Sequence, residues 1–140
     1  MTSDLLALQR IQSDLAFATD AGHWDEFLAC FVPEAQADYG SLGEGPIEQV
    51  VRLIQESQAR YQGTMNLVGT HRATIEGDRA RAETYVASHH FRVDASQSWD
   101  DQAGTHYVDE LVRTSDGWRI SRRRAQLRWY RSTPSESGWI

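Results

Sequence analysis

The sequence contains no lysine, so all 14 of its strongly basic residues are arginines. Without a lysine amine, the chain cannot form the Schiff base on which pyridoxal-phosphate enzymes depend, and it cannot build a phosphate loop that uses a lysine. The one cysteine, Cys30, excludes an internal disulfide bond and a zinc site made from several cysteines. No histidines have the HxH or HExxH spacing of common metal sites, and we therefore predict a protein with neither a metal ion nor another cofactor.

Positive charge and long apolar segments are also scarce. The 20 acidic residues outnumber the 14 arginines and give a formal net charge of −6, which disfavours binding to the phosphate backbone of nucleic acids. No apolar run approaches the roughly 20 residues that a membrane-spanning helix needs, and the N-terminus lacks the basic and apolar regions of a signal peptide. We expect a cytoplasmic domain with no nucleic acid and no membrane among its partners.

The remaining composition is that of one folded domain. Of the 140 residues, 40% are hydrophobic, which is enough for a packed core in a single domain over 1–131, followed by a polar tail over 132–140. Apolar residues at helical spacing predict three helices in the N-terminal half, over 4–19, 23–31 and 46–62.

Alternation of apolar and polar residues predicts five strands. A short strand lies between the second and third helices, over 34–39, and four long strands follow, over 65–75, 79–93, 103–113 and 117–130. The separation of helices from strands predicts an α+β fold, in which the three N-terminal helices pack on a curved antiparallel sheet and close it into a cone. A cone of this kind holds a cavity suited to a small molecule.

Four segments of the chain, over 17–42, 46–62, 66–85 and 107–123, resemble the SnoaL-like branch of the nuclear transport factor 2-like superfamily. Within that branch the chain is similar to the scytalone dehydratases and the lindane dehydrochlorinases. The resemblance implies a lyase without a cofactor that works inside an apolar cone. It also implies a homodimer or homotrimer, because relatives cover the other face of the sheet with a second subunit.

Asp20 and Asn66 are the first two candidate catalytic residues. Asp20 matches an aspartate that orients a histidine base in the similar enzymes, and a carboxylate at the C-terminal end of a helix is electrostatically unfavourable unless it has another role. The alternative is a solvated residue of the turn that contains Gly22. Asn66 occupies the position of that histidine, and its amide can orient a water or polarise a carbonyl but cannot take up a proton. The alternative for Asn66 is a structural amide at the edge of a strand.

His89 and Tyr39 complete the predicted catalytic set, because both match pocket residues of the scytalone dehydratases. Neighbouring residues of a strand point to opposite faces, so His89 and His90 cannot readily bind one metal ion. If Asn66 faces the cavity, we expect the odd-numbered residues of the next strand to face it too, which makes His89 the predicted base. The alternative is a partly buried structural histidine.

Five residues are predicted to contact the substrate. Arg123 resembles a pocket arginine of the dehydrochlorinases and could hold an anionic group, whereas the other arginines of the last strand are expected on a solvated outer face. The other four are aromatic or histidine side chains on elements expected to surround the cavity: Trp24, Phe31, Tyr85 and His106. A tryptophan such as Trp24 packs in the core more often than it stacks on a ligand.

Together these residues predict an enzyme that moves protons inside a hydrophobic cavity. The expected reaction is proton abstraction from a hydrophobic cyclic or aromatic small molecule, followed by elimination, isomerisation or cyclisation, as in dehydratases and polyketide cyclases. Two alternatives stay open. One is a water-adding hydrolase that resembles limonene epoxide hydrolase, and the other is a non-catalytic ligand-binding module or small subunit of the same fold.

Overall fold

The chain begins with helices and ends with long strands, in the predicted order. The computed structural model describes residues 2–136 and 138–140, so Met1 of the predicted domain and Ser137 of the predicted tail lie outside the described residues. The helical elements are α1 (Thr2–Ala21), α2 (Trp24–Leu28), a 3-10 turn (Gly40–Leu42) and α3 (Ile47–Ala59). The strands are β1 (Phe31–Asp38), β2 (Glu44–Pro46), β3 (Gly63–Glu76), β4 (Arg79–Asp94), β5 (Gln97–Thr114) and β6 (Gly117–Ser135).

The strands form one curved sheet in the order β2-β1-β6-β5-β4-β3. Strands β3 to β6 are joined as an antiparallel meander. The sheet is mixed, because β1 runs parallel to β6 while β2 pairs antiparallel with β1. With three helices packed on this sheet, the structure confirms the predicted α+β class.

One predicted connection is a continuous hairpin in the structure. The strands predicted over 79–93 and 103–113 leave the residues between them as a connection, but β4 and β5 pair as far as Asp94 and Gln97. Only Ala95 and Ser96 form the turn, with φ of 50° and 69°. Positive φ at both central residues gives a tight turn whose twist matches that of the strands, and it normally selects asparagine or glycine. The sequence therefore carried no signal for this turn.

The second helix is also shorter than predicted. Its apolar spacing suggested a helix over 23–31, whereas α2 ends at Leu28 and Phe31 already belongs to β1. Pro33 lies within β1, where the pairing with β6 is irregular between Phe31 and Gln36. A proline has no backbone N–H to donate to a regular ladder, so it fits a position where the ladder is interrupted.

The core lies between the helices and one face of the sheet, which we call the inner face. The helical stripe of α1 is buried as predicted, and so is the apolar face of α3. The largest fully buried apolar side chains come from both layers: Leu8, Ile47, Val50, Leu111 and Ile120. Burial of a leucine or isoleucine of this kind contributes about 1.5–3 kcal/mol to folding. In the described part of the chain, no helix combines the length and the apolar character that a membrane crossing requires.

Asp4 connects the first turn of α1 to the hairpin between β5 and β6 through hydrogen bonds. Its Oδ1 accepts hydrogen bonds from Arg113 Nη1 at 2.8 Å and from Trp118 Nε1 at 3.0 Å. Arg113 Nη2 donates to Oδ2 at 3.2 Å. These hydrogen bonds, with that from Arg113 foremost, hold the pKa of Asp4 at about 2, below the usual 3.8.

The lowered pKa of Asp4 predicts a loss of stability in acid. The unfolded chain binds a proton at this carboxylate before the folded chain does, so stability falls as the pH drops from 3.8 towards about 2. Asp4→Asn should lower the free energy of unfolding at neutral pH and weaken its pH dependence in that window, as measured by urea unfolding at a series of pH values.

The matched control for this prediction is Asp78→Asn. Asp78 accepts a hydrogen bond from the same arginine at 3.1 Å, but its side chain is 82% exposed. Exposed ion pairs contribute little, so this variant should follow the wild-type curve. If Asp4→Asn ran parallel to the wild type through the acid window, the proposed contribution of Asp4 would be wrong.

Candidate active site

A cavity of about 320 Å³ lies between α1, α3 and the inner face of the sheet. Most of its wall is apolar, with Leu15 and Ile54 on the helices and Val68, Val86 and Ala103 on the strands. Polar side chains on the helices, on the strands and in the loops interrupt this wall at several points. A mainly apolar cavity with fixed polar groups is typical of sites for small organic molecules.

The end of α1 brings Asp20 to the start of β3. The helix packs against this strand and stops at Ala21, because Gly22 takes a left-handed φ of 71°. Asp20 Oδ1 accepts hydrogen bonds from Thr64 Oγ1 at 2.9 Å and from Asn66 Nδ2 at 2.7 Å, and its Oδ2 accepts one from the Asn66 backbone N–H at 3.0 Å. Two hydrogen bonds therefore fix the asparagine relative to the carboxylate, and a third, from Thr64, helps to hold the carboxylate in place.

The hydrogen bonds of Asp20 also set the orientation of the Asn66 amide. An ionised carboxylate only accepts hydrogen bonds, so the NH₂ group of Asn66 must point at Asp20. The carbonyl Oδ1 of Asn66 and its second N–H take part in no other hydrogen bond with the described residues. Asn66 lines the cavity, whereas Asp20 lies behind it. Asp20 thus positions the amide, and Asn66 is the member of the pair that a ligand would touch.

The prediction that His89 faces the cavity is wrong. A ladder continued from Glu76↔Arg79 without interruption would pair Asn66 with His89, but the register shifts between Val68 and His71, and Asn66 pairs with Ser88 instead. In β3, two residues oppose one residue of β4 at this bulge. A shift of one residue exchanges the two faces of a strand. Val86, Ser88 and His90 consequently line the cavity.

On the outer face of the sheet, His89 pairs with Asp100. Its Nδ1 lies 2.7 Å from Asp100 Oδ2, which also accepts a hydrogen bond from Gln102 Nε2 at 3.0 Å. His89 is therefore separated from the cavity by the sheet itself, and the structure does not bring it together with Asp20, Asn66 or Tyr39.

His90 is the histidine that reaches the cavity. Its Nδ1 lies 3.0 Å from the main-chain carbonyl oxygen of Asp101. A carbonyl only accepts hydrogen bonds, so the neutral ring carries its proton on Nδ1 and keeps a lone pair on Nε2. The ring packs against Tyr61, whose centroid is 5.0 Å away. The arrangement gives the cavity an imidazole whose Nε2 makes no hydrogen bond with the described residues.

The floor of the cavity contains a buried ion pair. Arg123 donates from Nε to Asp109 Oδ1 at 2.8 Å and from Nη2 to Asp109 Oδ2 at 2.9 Å. Gln12 of α1 bridges the two, because its Oε1 accepts from Arg123 Nη2 at 2.6 Å and its Nε2 donates to Asp109 Oδ2 at 3.0 Å. Burial alone would lower the pKa of Arg123, but the charge and hydrogen bonds of Asp109, together with the neighbouring Tyr39 and Tyr107, more than offset it and hold this pKa well above its usual value.

Two tyrosines, Tyr39 and Tyr107, pack next to the ion pair of Arg123 and Asp109. The guanidinium carbon of Arg123 lies 4.1 Å from the centroid of the Tyr107 ring, and the rings of Tyr39 and Tyr107 meet edge to face at 6.0 Å. Burial raises the pKa of both phenols, so each stays protonated and able to donate a hydrogen bond. Tyr39 and Arg123 line the cavity, as the sequence predicted.

The four other predicted substrate contacts lie away from the cavity. Trp24 and Phe31 both pack around Phe27, with ring centroids at 5.8 Å and 5.4 Å, in the core beneath α2. Tyr85 and His106 share the outer face with Glu83, whose Oε1 lies 3.1 Å from His106 Nε2. Tyr85 lies on the same face as His89 because the register places the odd-numbered residues of β4 outside. His106 of β5 lies there too, because it is paired with Tyr85.

Four residues of the site were not predicted: Gln12, His90, Tyr107 and Asp109. A signal existed for Gln12, which interrupts the apolar stripe of α1 between Leu8 and Leu15. A glycine within a strand often marks a bulge, and Gly69 was the only sign of the shift that selects His90. Within residues 2–136 and 138–140, no three His, Cys, Asp or Glu side chains converge as metal ligands do.

Solved structures share this fold along most of the chain. The Kfla4162 protein of Kribbella flavida matches with a TM-score of 0.80 at 20% identity, over 93% of this chain and 94% of its own. A protein of Novosphingobium aromaticivorans, provisionally named a scytalone dehydratase, matches with a TM-score of 0.78 at 18% identity, over 93% and 86% of the two chains. A hexachlorocyclohexane dehydrochlorinase of Novosphingobium barchaimii matches with a TM-score of 0.78 at 17% identity, over 94% and 90%. These likenesses confirm the predicted α+β cone fold.

Sequence comparison gives the family. The uncharacterized protein Rv2910c of Mycobacterium tuberculosis is 29% identical over 124 residues, which cover 86% of this chain and 83% of that protein. The profile of the SnoaL-like domain matches residues 1–124, which include the helices, most of the cavity wall and the buried ion pair. The chain therefore belongs to the family of SnoaL-like domain proteins.

Proposed function

We propose that this protein is a cofactor-independent enzyme that abstracts a proton from a hydrophobic cyclic or aromatic small molecule. Elimination, isomerisation or cyclisation would follow from the resulting carbanion or enolate. The observation that carries this proposal is that His90 and Asn66 both line the same mainly apolar cavity. The first is a histidine with a free Nε2, and the second is an amide held in one orientation by Asp20.

In this proposal His90 is the base and Asn66 binds the substrate oxygen. Thr64 and His90 are paired across the two strands, and Asn66 follows Thr64 by two residues on the same face. Such diagonal neighbours lie roughly 7 Å apart, which allows both to contact one ring-sized ligand. His90 Nε2 takes the proton from carbon, and the second N–H of Asn66 stabilises the negative charge that develops on oxygen. The protonated His90 then returns the proton to the product or to the leaving group.

Asp20 and Tyr39 have supporting roles in this scheme. Asp20 acts as a positioning residue, because it holds Asn66 but does not line the cavity. Tyr39, at the floor, donates a hydrogen bond to a second oxygen of the substrate or to a water. The named activities of the similar structures, a dehydratase and a dehydrochlorinase, support a reaction that begins with removal of a proton.

Two alternatives compete with this proposal. A water-adding hydrolase would need a carboxylate that activates water inside the cavity, and both oxygens of Asp20 are already bonded behind Asn66. A non-catalytic binding module or small subunit would use the same cavity without proton transfer. Proton exchange by the wild type and by variants of His90 and Asn66 distinguishes such a module from an enzyme.

A homodimer or homotrimer remains a prediction. Its support is the outer face of the sheet, where four large apolar side chains are about half exposed: Met65, Leu67, Tyr85 and Trp129. Contiguous apolar surface of this kind often packs against another subunit.

Replacing His90, the proposed base, should slow proton transfer from carbon. A suitable probe is 2-tetralone, a bicyclic aromatic ketone with exchangeable α-protons, whose deuterium uptake in D₂O is followed by proton NMR. The wild type should accelerate the exchange above buffer, and His90→Ala should reduce the rate by on the order of 10²–10⁴.

The matched control for His90→Ala is His89→Ala, which removes the same ring from the adjacent position on the other face. It should exchange the probe at the wild-type rate. Should the wild type bind 2-tetralone without exchanging its protons, the protein would be a binding module and the proposal would fail.

Removing the Asn66 amide should slow the same exchange without unfolding the protein. Asn66→Ala takes away one donor to the developing oxyanion, and a loss of on the order of 10²–10³ is expected. Thr74→Ala, an exposed position on the same strand, serves as the control. Wild-type exchange by Asn66→Ala, with thermal melting unchanged, would remove Asn66 from the mechanism.

Asn66→His should restore an imidazole next to Asp20. An adjacent carboxylate favours the charged ring, so the introduced imidazole should titrate at a higher pH when Asp20 is present. NMR titration of Asn66→His against the double variant Asp20→Asn/Asn66→His measures this difference. Equal titration midpoints would show that Asp20 does not act on the side chain at position 66.

A further inference from the structure

We infer that the floor of the cavity selects an uncharged oxygen of the ligand, a carbonyl or a phenol, and rejects a carboxylate. This inference deepens the proposed function, on which it rests, by naming the class of group that the ligand carries at Arg123. It replaces the expectation that Arg123 holds an anion. The charges and hydrogen bonds around Arg123 carry the argument.

The charge of Arg123 is already compensated within the protein. Its guanidinium and the carboxylate of Asp109 form two parallel hydrogen bonds at 2.8 and 2.9 Å, and their side chains are only 3% and 0% exposed. Two buried opposite charges in this geometry form a neutral unit. A carboxylate ligand at Arg123 would therefore add an unpaired negative charge next to Asp109 in a site with little water to screen it.

Asp109 cannot move aside to make room for such a ligand. Gln12 donates to the same carboxylate and accepts from the same guanidinium, which closes a ring of hydrogen bonds across α1, β5 and β6. Tyr107 packs against the flat face of the guanidinium at 4.1 Å. Any displacement of Asp109 would leave a buried charge without its partner, which is strongly destabilising.

The groups that remain for a ligand are donors whose charge is absent or already compensated. Arg123 Nη1 takes no part in the bonds to Asp109 and Gln12, which use Nε and Nη2, and the guanidinium lies close enough to the Tyr39 oxygen for a hydrogen bond that partly opposes the rise in the pKa of this phenol. The phenol of Tyr39 lines the cavity near this guanidinium, and burial keeps it protonated by raising its pKa. Two donors next to a neutral ion pair suit the lone pairs of a carbonyl or phenol oxygen.

The test compares two ligands that share a ring system and differ in charge. The ketone 2-acetonaphthone and the acid 2-naphthoate have the same bicyclic ring and a planar carbonyl substituent of similar size. Binding to the wild type at pH 7 is measured by calorimetry, independently of turnover. We expect the ketone to bind more tightly by on the order of tenfold or more.

A change in the ion pair should change this preference. Asp109→Asn removes the compensating charge, so the preference should move towards 2-naphthoate by on the order of tenfold. If this variant does not fold, the double variant Asp109→Leu/Arg123→Leu replaces the pair with apolar side chains. It should lose affinity for the ketone without gaining affinity for the acid. The control is His89→Ala, which alters only the outer face and should keep the wild-type preference.

The inference and the proposed function fail in different ways. Equal or tighter binding of 2-naphthoate by the wild type, or no measurable binding of the ketone, would overturn the inference whatever the exchange assay shows. A clear preference for the ketone, together with no exchange of 2-tetralone protons, would support the floor selectivity and reject only the catalytic role.

Discussion

The buried ion pair of Arg123 and Asp109 ties together the parts of the protein that form its cavity. It joins β5 to β6, and through Gln12 it fixes the position of α1 against the sheet. Asp20 follows Gln12 by eight residues on that helix, or about 12 Å along its axis. The polar contacts at the floor therefore help to determine where the helix meets Thr64 and Asn66. A change at the floor would be expected to reach the opposite end of the cavity through α1.

The free-energy cost of burying charged groups explains why those around the cavity are paired with other residues. Asp109 and Arg123 are tolerated because each satisfies the other and Gln12 fills a remaining site on both. Asp20 is tolerated because it receives three hydrogen bonds. Buried charges that are fully paired have little tendency to react. The polar groups that stay available to a ligand include the imidazole of His90 and the amide of Asn66.

The sequence predicted the features that repeat along the chain and missed those that depend on one residue. The helical stripe of Leu8, Ile11 and Leu15 repeats over several turns, so α1 and its buried face were predicted well. The α+β class and the cone shape followed from the arrangement of elements along the chain and from the family resemblance, whereas the parallel pairing of β1 with β6 was not predicted. The tight turn at Ala95 and Ser96 carries no glycine or asparagine, so the long β5 was predicted too short. The choice between His89 and His90 depended on a shift that only pairing in three dimensions displays.

The bulge in β3 also determines which alternate side chains of the strand face the cavity. Beyond the bulge the odd-numbered Ala73 packs towards the core, whereas before it the even-numbered Asn66 and Val68 face inwards. If the same residues paired with β4 in an uninterrupted ladder, Met65 would take the place of Asn66 on the inner wall, and the cavity would have a thioether where it now has an amide held by Asp20. The inward-facing amide therefore depends on Gly69 and Thr70, the two residues that together oppose Tyr85 at the bulge.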